Sequence, residues 1–278
     1  MKFAICHELF ENVSWPDQCR LIAEAGYTGI EVAPFTISEN LSNVPEDIFD
    51  QMRSDAEGHG LQVIGLHWML AKTKGLYLTS PDAAVRHATA DYLKLLARVC
   101  ARLGCTVLVF GSPQQRSLLP GVTNHQAMEY AAEVFREAMP VYAEHSVTLC
   151  MEPLTSKETD FINTCAQAVE LMKLVDHPAF RLHQDVKAML GAESESIPSL
   201  IAKYRDICWH FHVNDSNLLG PGMGETDYHP ILKALLDVDY QGWVSVEVFD
   251  YRPGAMHIAT ESLRYMRQVL SELGHPHE

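Results

Sequence analysis

Apolar and polar positions along the chain follow a two-part rhythm. Short runs rich in β-branched residues alternate with longer stretches whose apolar residues recur at helical spacing. The short runs are KFAICH (2–7), TGIEVAP (28–34), LQVIGLHW (61–68), CTVLVFG (105–111), VTLCMEP (147–153), FRLHQD (180–185), ICWHFHV (207–213) and WVSVEVF (243–249). Helical patterns fill 15–25, 45–59, 81–103, 124–145, 163–175, 195–205, 228–237 and 257–273. Start signals precede several of them: Ser14 with Pro16, Thr123-Asn124, and Asn163-Thr164. Gly26, Gly60 and Gly104 stand just past helix ends, where a left-handed residue closes the last turn.

Eight strands alternating with eight helices predict parallel β-α-β units. Closing them gives an α/β fold, a single-domain (β/α)₈ TIM barrel, and 278 residues sit close to the roughly 250 such a barrel takes. An open doubly wound sheet would share the rhythm, but the first strand–helix turn carries no G-x-G-x-x-G. No low-complexity stretch or linker divides the chain, so one domain over 1–278 is expected.

Composition narrows the partners. Hydrophobic residues make up 47%, enough for a large core. A formal charge of −15 repels both a nucleic-acid backbone and an anionic membrane surface. No apolar run approaches the 18 or so residues of a membrane span, and Met1-Lys2 leads at once into the first strand pattern, so neither leader nor span is expected. Seven cysteines without a C-x-x-C pair argue against a disulfide framework or a thiolate zinc site, and a cytoplasmic setting fits them. What remains is a small-molecule substrate. A homo-oligomer stays open, through helix faces such as YMRQVL (265–270) that serve a core equally well.

In such a barrel the chemistry gathers at the C-terminal ends of the strands. The ionisable residues there are His7 and Glu8, Glu31, His67, Glu152, Asp185, His212 and Glu247. The last four stand 33, 27 and 35 residues apart, about one βα unit each, so four neighbouring strands carry them toward one place. Any one alone reads as an ordinary solvated or hydrogen-bonded rim residue. Together, with Glu152 and Glu247 inside apolar runs, they are three carboxylates that would repel unless a cation sat between them. Three oxygens and one imidazole suit a hard divalent ion such as Mn²⁺ or Mg²⁺, with Co²⁺ as a further candidate. In WHFHV, His210 and His212 share a strand face. His212, nearer the mouth, is assigned to the metal, and His210 beneath it to support or packing. Asp215 lies just past the strand end, placed to orient His212 or the substrate, or to cap a turn.

The segments MEPLTSKETDFINT, HQD, HFHVNDSN, GPGMGETDYHPILKAL and GWVSVEVFDY resemble the xylose isomerase-like TIM barrels, and among these the sugar phosphate isomerase/epimerase proteins that include the D-tagatose/D-psicose 3-epimerases. The resemblance spans the chain and is most specific over 150–250. It implies a metal held by Glu152, Asp185, His212 and Glu247, with Glu152 and Glu247 as the acid/base pair that moves a proton α to a carbonyl through a metal-held enediolate. Glu158, six residues after Glu152, matches a substrate-contacting glutamate. Two positions depart from the pattern: Ala188 stands where the epimerases have a histidine, and Leu218 where they have an arginine. Lys187 offers a replacement cation.

The expected activity is therefore a metal-dependent sugar isomerase or epimerase acting on a keto-sugar or related polyol. The same site would also serve a keto-sugar dehydratase or lyase, as in elimination from a 3-keto-glycoside. An endonuclease IV-like nuclease and a non-catalytic sugar-binding protein are the remaining readings. His67, His7 and Trp68 are expected in the sugar-facing wall, and Phe35 and Phe110 in the core. The loop GPGMGETDY (220–228) is expected either to approach the site as a lid or to be a tight connection with Glu225 capping the next helix.

Overall fold

The computed structural model describes residues 1–275. Eight parallel strands close into a barrel in chain order: β1 (Lys2–Cys6), β2 (Gly29–Val32), β3 (Gln62–Leu66), β4 (Val107–Phe110), β5 (Thr148–Met151), β6 (Phe180–Asp185), β7 (Cys208–Val213) and β8 (Trp243–Val246), with β1 pairing back onto β8. Each strand falls inside the run that predicts it. Around them, among the described residues, stand α1 (Trp15–Glu24), α2 (Glu46–Gly58), α3 (Ala83–Arg102), α4 (Asn124–Glu144), α5 (Cys165–Val175), α6 (Val186–Ala192), α7 (Ile197–Tyr204), α8 (His229–Asp237) and α9 (Ala255–Glu272).

The helices start where the caps say they should. Thr123 and Thr164 each accept a bond from the third helical N–H, and Gln126 and Gln167 reach back to close capping boxes. Ser14 accepts from the Asp17 N–H at the head of α1. The helix absent from the sequence pattern is α6. It is seven residues long, too short for an apolar period to register, and it begins with no loop because Asp185 ends β6 and caps α6 at once.

Alternation divides each strand between two environments. Ile30 and Val32 of β2, and Phe211 and Val213 of β7, join the apolar layer between barrel and helices. Glu31, His210 and His212 alternate with them and point into the barrel, where all three are fully buried. Phe110 belongs to the outer layer, edge-on to Phe135 at 5.2 Å, as expected of a core residue. Met266, Val269 and Leu270 of α9 are buried too, so the YMRQVL face serves the core. All seven cysteines are buried thiols. No helix among the described residues is long and apolar enough to cross a membrane.

Replacing Thr123 with Ala removes one capping bond and should cost about 1 kcal/mol. A thermal scan should show Tm lowered by about 2–4 °C, with the α4 end fraying first in hydrogen exchange.

Candidate metal centre

Four strand ends deliver the four side chains of the predicted set. The register of β6 on β7 sets Asp185 beside His212, and β7 on β8 sets Val213 beside Val246, one residue before Glu247. Glu152 follows β5, its N–H bonded to the Phe110 carbonyl of β4. One ligand atom each from Glu152, Asp185, His212 and Glu247 lies within 4.8 Å of every other, and all four residues are buried. Gly111 makes room for this: a Cβ there would stand 2.2 Å from Glu152 Oε2.

The electrostatics fit a cation. Burial pushes the Glu152 carboxyl well above the usual carboxylate range, and Glu247 and Asp185 push it further. Burial raises Asp185 as well, against the pull of Lys187. Asp185 keeps one bond per oxygen, Oδ1 accepting from the Ala188 N–H at 2.7 Å and Oδ2 from Asn214 Nδ2 at 2.5 Å, so each oxygen retains a lone pair. The Glu152 carboxylate accepts no hydrogen bond among the described residues, and the nearby His183 Nε2 stands 3.8 Å from Oε1. A buried carboxylate left this way has lone pairs to offer, and three oxygens with one imidazole match Mn²⁺, Mg²⁺ or Co²⁺.

A second tier sits beneath. Glu31 is fully buried and takes His210 Nε2 at 2.9 Å and His212 Nε2 at 3.2 Å. Burial alone would raise its pKa, but the two histidines outweigh burial and hold it well below the usual range. Glu31 thereby fixes the His212 ring, whose other nitrogen, Nδ1, faces Glu247 Oε2 at 3.1 Å. A carboxylate holding the far nitrogen of a liganding imidazole is a common support for metal binding. For His212, burial opposes the charge while Glu31 and Glu247 overcome it, so its pKa is raised well above normal. His183 lies in the same tier with both ring nitrogens unbonded among the described residues, and burial favours its neutral form.

Toward solvent the site opens into a pocket lined by Trp68, Gly111, Ser112, Glu152, Glu158, Glu247 and Phe249. Trp68 Nε1 donates to Glu247 Oε1 at 3.0 Å. Glu158 accepts from the Thr155 hydroxyl and from Lys187 Nζ, both at 2.9 Å, and that ammonium also sits 3.7 Å from the centre of the Phe249 ring. Below the wall, the buried Arg116 donates to the carbonyls of Glu152 and Ile162 and so ties down both ends of the Glu158 loop.

Several expected contacts lie elsewhere. His7 turns away from the pocket. Its Nδ1 pairs with Gln18 Oε1 at 2.7 Å and its Nε2 with Thr36 Oγ1 at 3.1 Å, because β1 ends at Cys6 and a 3₁₀ turn over His7–Leu9 redirects the side chain. His67 does not line the pocket. It points inward, with Nε2 3.0 Å from Glu8 Oε1, and its neighbour Trp68, at φ 53°, takes the wall position. His210 supports from below. Asp215 is buried and bonds the N–H and hydroxyl of both Ser216 and Thr226, so it clamps the 220–228 loop. That loop is a tight connection: a Cβ on Gly224 would press to 2.4 Å from Asp215. Glu225 is exposed and does not cap α8, which starts at His229 with Tyr228 as an N-cap residue that gives no side-chain bond. Glu8, Glu31, His183, Arg116 and Phe249 received no role from the sequence.

The chain matches the model of the xylose isomerase-like TIM barrel family over residues 19–269. It belongs to that family. A probable ketose 3-epimerase of Synechocystis is 25% identical over 262 residues, 88% of this chain and 87% of the relative. The D-psicose 3-epimerase of Agrobacterium fabrum is 28% identical over 82% of this chain and 77% of its own. Among solved structures, the fold is shared with D-psicose 3-epimerase from Clostridium cellulolyticum bound to D-tagatose (TM-score 0.85, 23% identity, 97% and 99% of the two chains). It is also shared with 3-keto-D-glucoside 4-epimerase from E. coli (TM-score 0.83, 19% identity, 96% and 99%).

Glu152, Asp185 and His212 are all held toward their protonated forms, so a divalent ion must displace protons to bind. Mn²⁺ affinity should therefore rise as pH rises from 6 to 8, with proton release seen by calorimetry in buffers of different ionisation enthalpy. Gly111→Ala should weaken the same binding by about tenfold or more, since the methyl group takes the space of the Glu152 carboxylate.

Proposed function

We propose that this chain is a divalent-metal-dependent sugar isomerase or epimerase that moves a proton α to the carbonyl of a keto-sugar or related polyol. The observation that carries this reading is the pairing of Glu152 and Glu247 on one pocket wall, with environments that drive them apart. Burial would raise Glu247, but His212 outweighs it and leaves the carboxyl below its usual value, while Glu152 is raised well above. With a cation bound, both are ionised carboxylates on one wall, so one can take a proton from the substrate carbon and the other, once protonated, can return it. Glu247 takes the proton from the carbon next to the carbonyl, with Trp68 Nε1 fixing its Oε1. Glu152 returns a proton from the other side. A divalent cation held by Glu152, Asp185, His212 and Glu247 supplies Lewis-acid polarisation of the substrate oxygens and so acidifies that carbon; Mn²⁺ is the ion we assign.

The remaining groups recognise the substrate. Trp68 and Phe249 stand 6.4 Å apart by ring centres and offer aromatic faces to sugar C–H bonds. Glu158, steadied by Lys187 and Thr155, accepts from sugar hydroxyls. Relatives named as ketose 3-epimerases support a ketose. The two departures at Ala188 and Leu218 change how it is gripped. Lys187 reaches the groove shared by Lys157, Glu158, Leu218 and Phe249 and adds positive charge there. A second reading, elimination from a keto-glycoside, draws on the same departures; a 26% identical relative, a 3-dehydro-D-guloside 4-epimerase of E. coli matched over 46% of this chain, supports the keto-glycoside substrate with epimerisation as the reaction. The −15 charge stands against a nuclease.

The Mn²⁺-loaded protein, incubated with keto-sugars and 3-keto-glycosides in D₂O, should wash deuterium into the carbon α to the carbonyl of its substrate. No exchange across the panel would leave a binding protein. Glu247→Gln and Glu152→Gln should each lower turnover by about 10²–10⁴-fold. Lys187→Ala should raise KM more than it lowers kcat.

A further inference from the structure

Beside the four-residue centre, one ligand atom each from Cys6, Glu8, His67 and Glu247 lies within 4.8 Å of every other, again with all four residues buried. Three facts set this cluster apart from an ordinary ion pair. Among the described residues, Glu8 Oε2 and both ring nitrogens of His67 have no hydrogen-bond partner, although His67 is 1% exposed. His67 Nε2 comes to 3.0 Å from Glu8 Oε1, yet the ring N–H direction misses that oxygen, so the contact is close without being a hydrogen bond. The Glu247 carboxylate faces both ways: Oε2 is 3.1 Å from His212 Nδ1, while Oε1 lies 4.0 Å from His67 Nε2.

Separations of 3.0 and 4.0 Å between donor atoms are those of ligands on one ion with bonds of about 2.0–2.2 Å. An ion off the line between Nε2 and Oε1 bonds both atoms, which a proton cannot do at that angle. A carboxylate that turns one oxygen to each of two neighbouring sites is the usual bridge in two-metal centres, whose ions stand about 3.5–4 Å apart.

We propose that Glu8, His67 and Glu247, with the Cys6 sulfur as fourth donor, form a second divalent-cation site that shares Glu247 with the first. The donor set of sulfur, imidazole and two carboxylates suits Zn²⁺ or Co²⁺, in contrast to the oxygen-rich set next to it. The site meets the first centre at Glu247, the base assigned there, and its test reads metal content alone.

The test is a metal count. The chain is stripped with chelator, reloaded with Zn²⁺, desalted and analysed by mass spectrometry. Wild type should carry two equivalents, and His67→Ala and Glu8→Gln one each. A single equivalent that persists in both variants but disappears in Asp185→Asn overturns the second site and leaves the first intact. A single equivalent that disappears in His67→Ala but persists in Asp185→Asn sustains the second site and overturns the first. Since a buried substitution can unfold the chain, Zn²⁺-soaked crystals of wild type give an independent reading. Anomalous density bonded to Glu8 and His67 is expected, and its absence overturns the proposal.

Discussion

Charge inside a dry barrel is expensive, and this barrel collects it. Glu31, Glu152, Asp185 and Glu247 lie in its interior or at its mouth, each at most 6% exposed. An isolated buried carboxylate loses several kcal/mol of hydration unless something replaces water. The fold answers in two tiers. In the lower tier Glu31 is satisfied by protein alone, through His210 and His212. In the upper tier Glu152 and Asp185 lack enough positive charge from the chain itself, and burial drives both toward the protonated form. A bound cation would relieve that imbalance.

His212 joins the tiers. One nitrogen is held by Glu31 and the other faces Glu247, so the ring has little freedom to turn. Packing reinforces this, with His183 edge-on to His212 at 4.2 Å and His67 at 6.0 Å. A preorganised ligand set of this kind needs no rearrangement when an ion arrives, and rigid strand ends are better suited to it than loops.

The rim is built differently. Trp68, Glu158 and Phe249 lie past strand ends, and their positions depend on Arg116, on the Lys187–Glu158 pair and on the clamp between Asp215 and Thr226. Within one fold these are the elements that can change while the strand ends stay. Ala188 and Leu218 also lie past strand ends. Ala188 uses its backbone N–H to hold Asp185, and the exposed Leu218 offers its carbonyl to the N–H groups of Phe249 and Asp250.

The barrel is legible in the sequence because strand alternation and helical spacing are local properties, and eight repeats of both leave few closed arrangements. The convergence of Glu152, Asp185, His212 and Glu247 is legible for a related reason. Each sits at the end of a strand, and parallel register carries equivalent ends to one level. Side-chain direction beyond the last paired residue is another matter. His7 and Glu8 are neighbours, and only the 3₁₀ turn after Cys6 decides that Glu8 meets His67 while His7 turns to Gln18. His67 and Trp68 divide the inward and wall positions through one left-handed residue. Asp215 is buried only because a loop folds over it. Period-two reasoning ends where the strand ends, and from there backbone torsions and packing against distant segments choose which side chain faces the site.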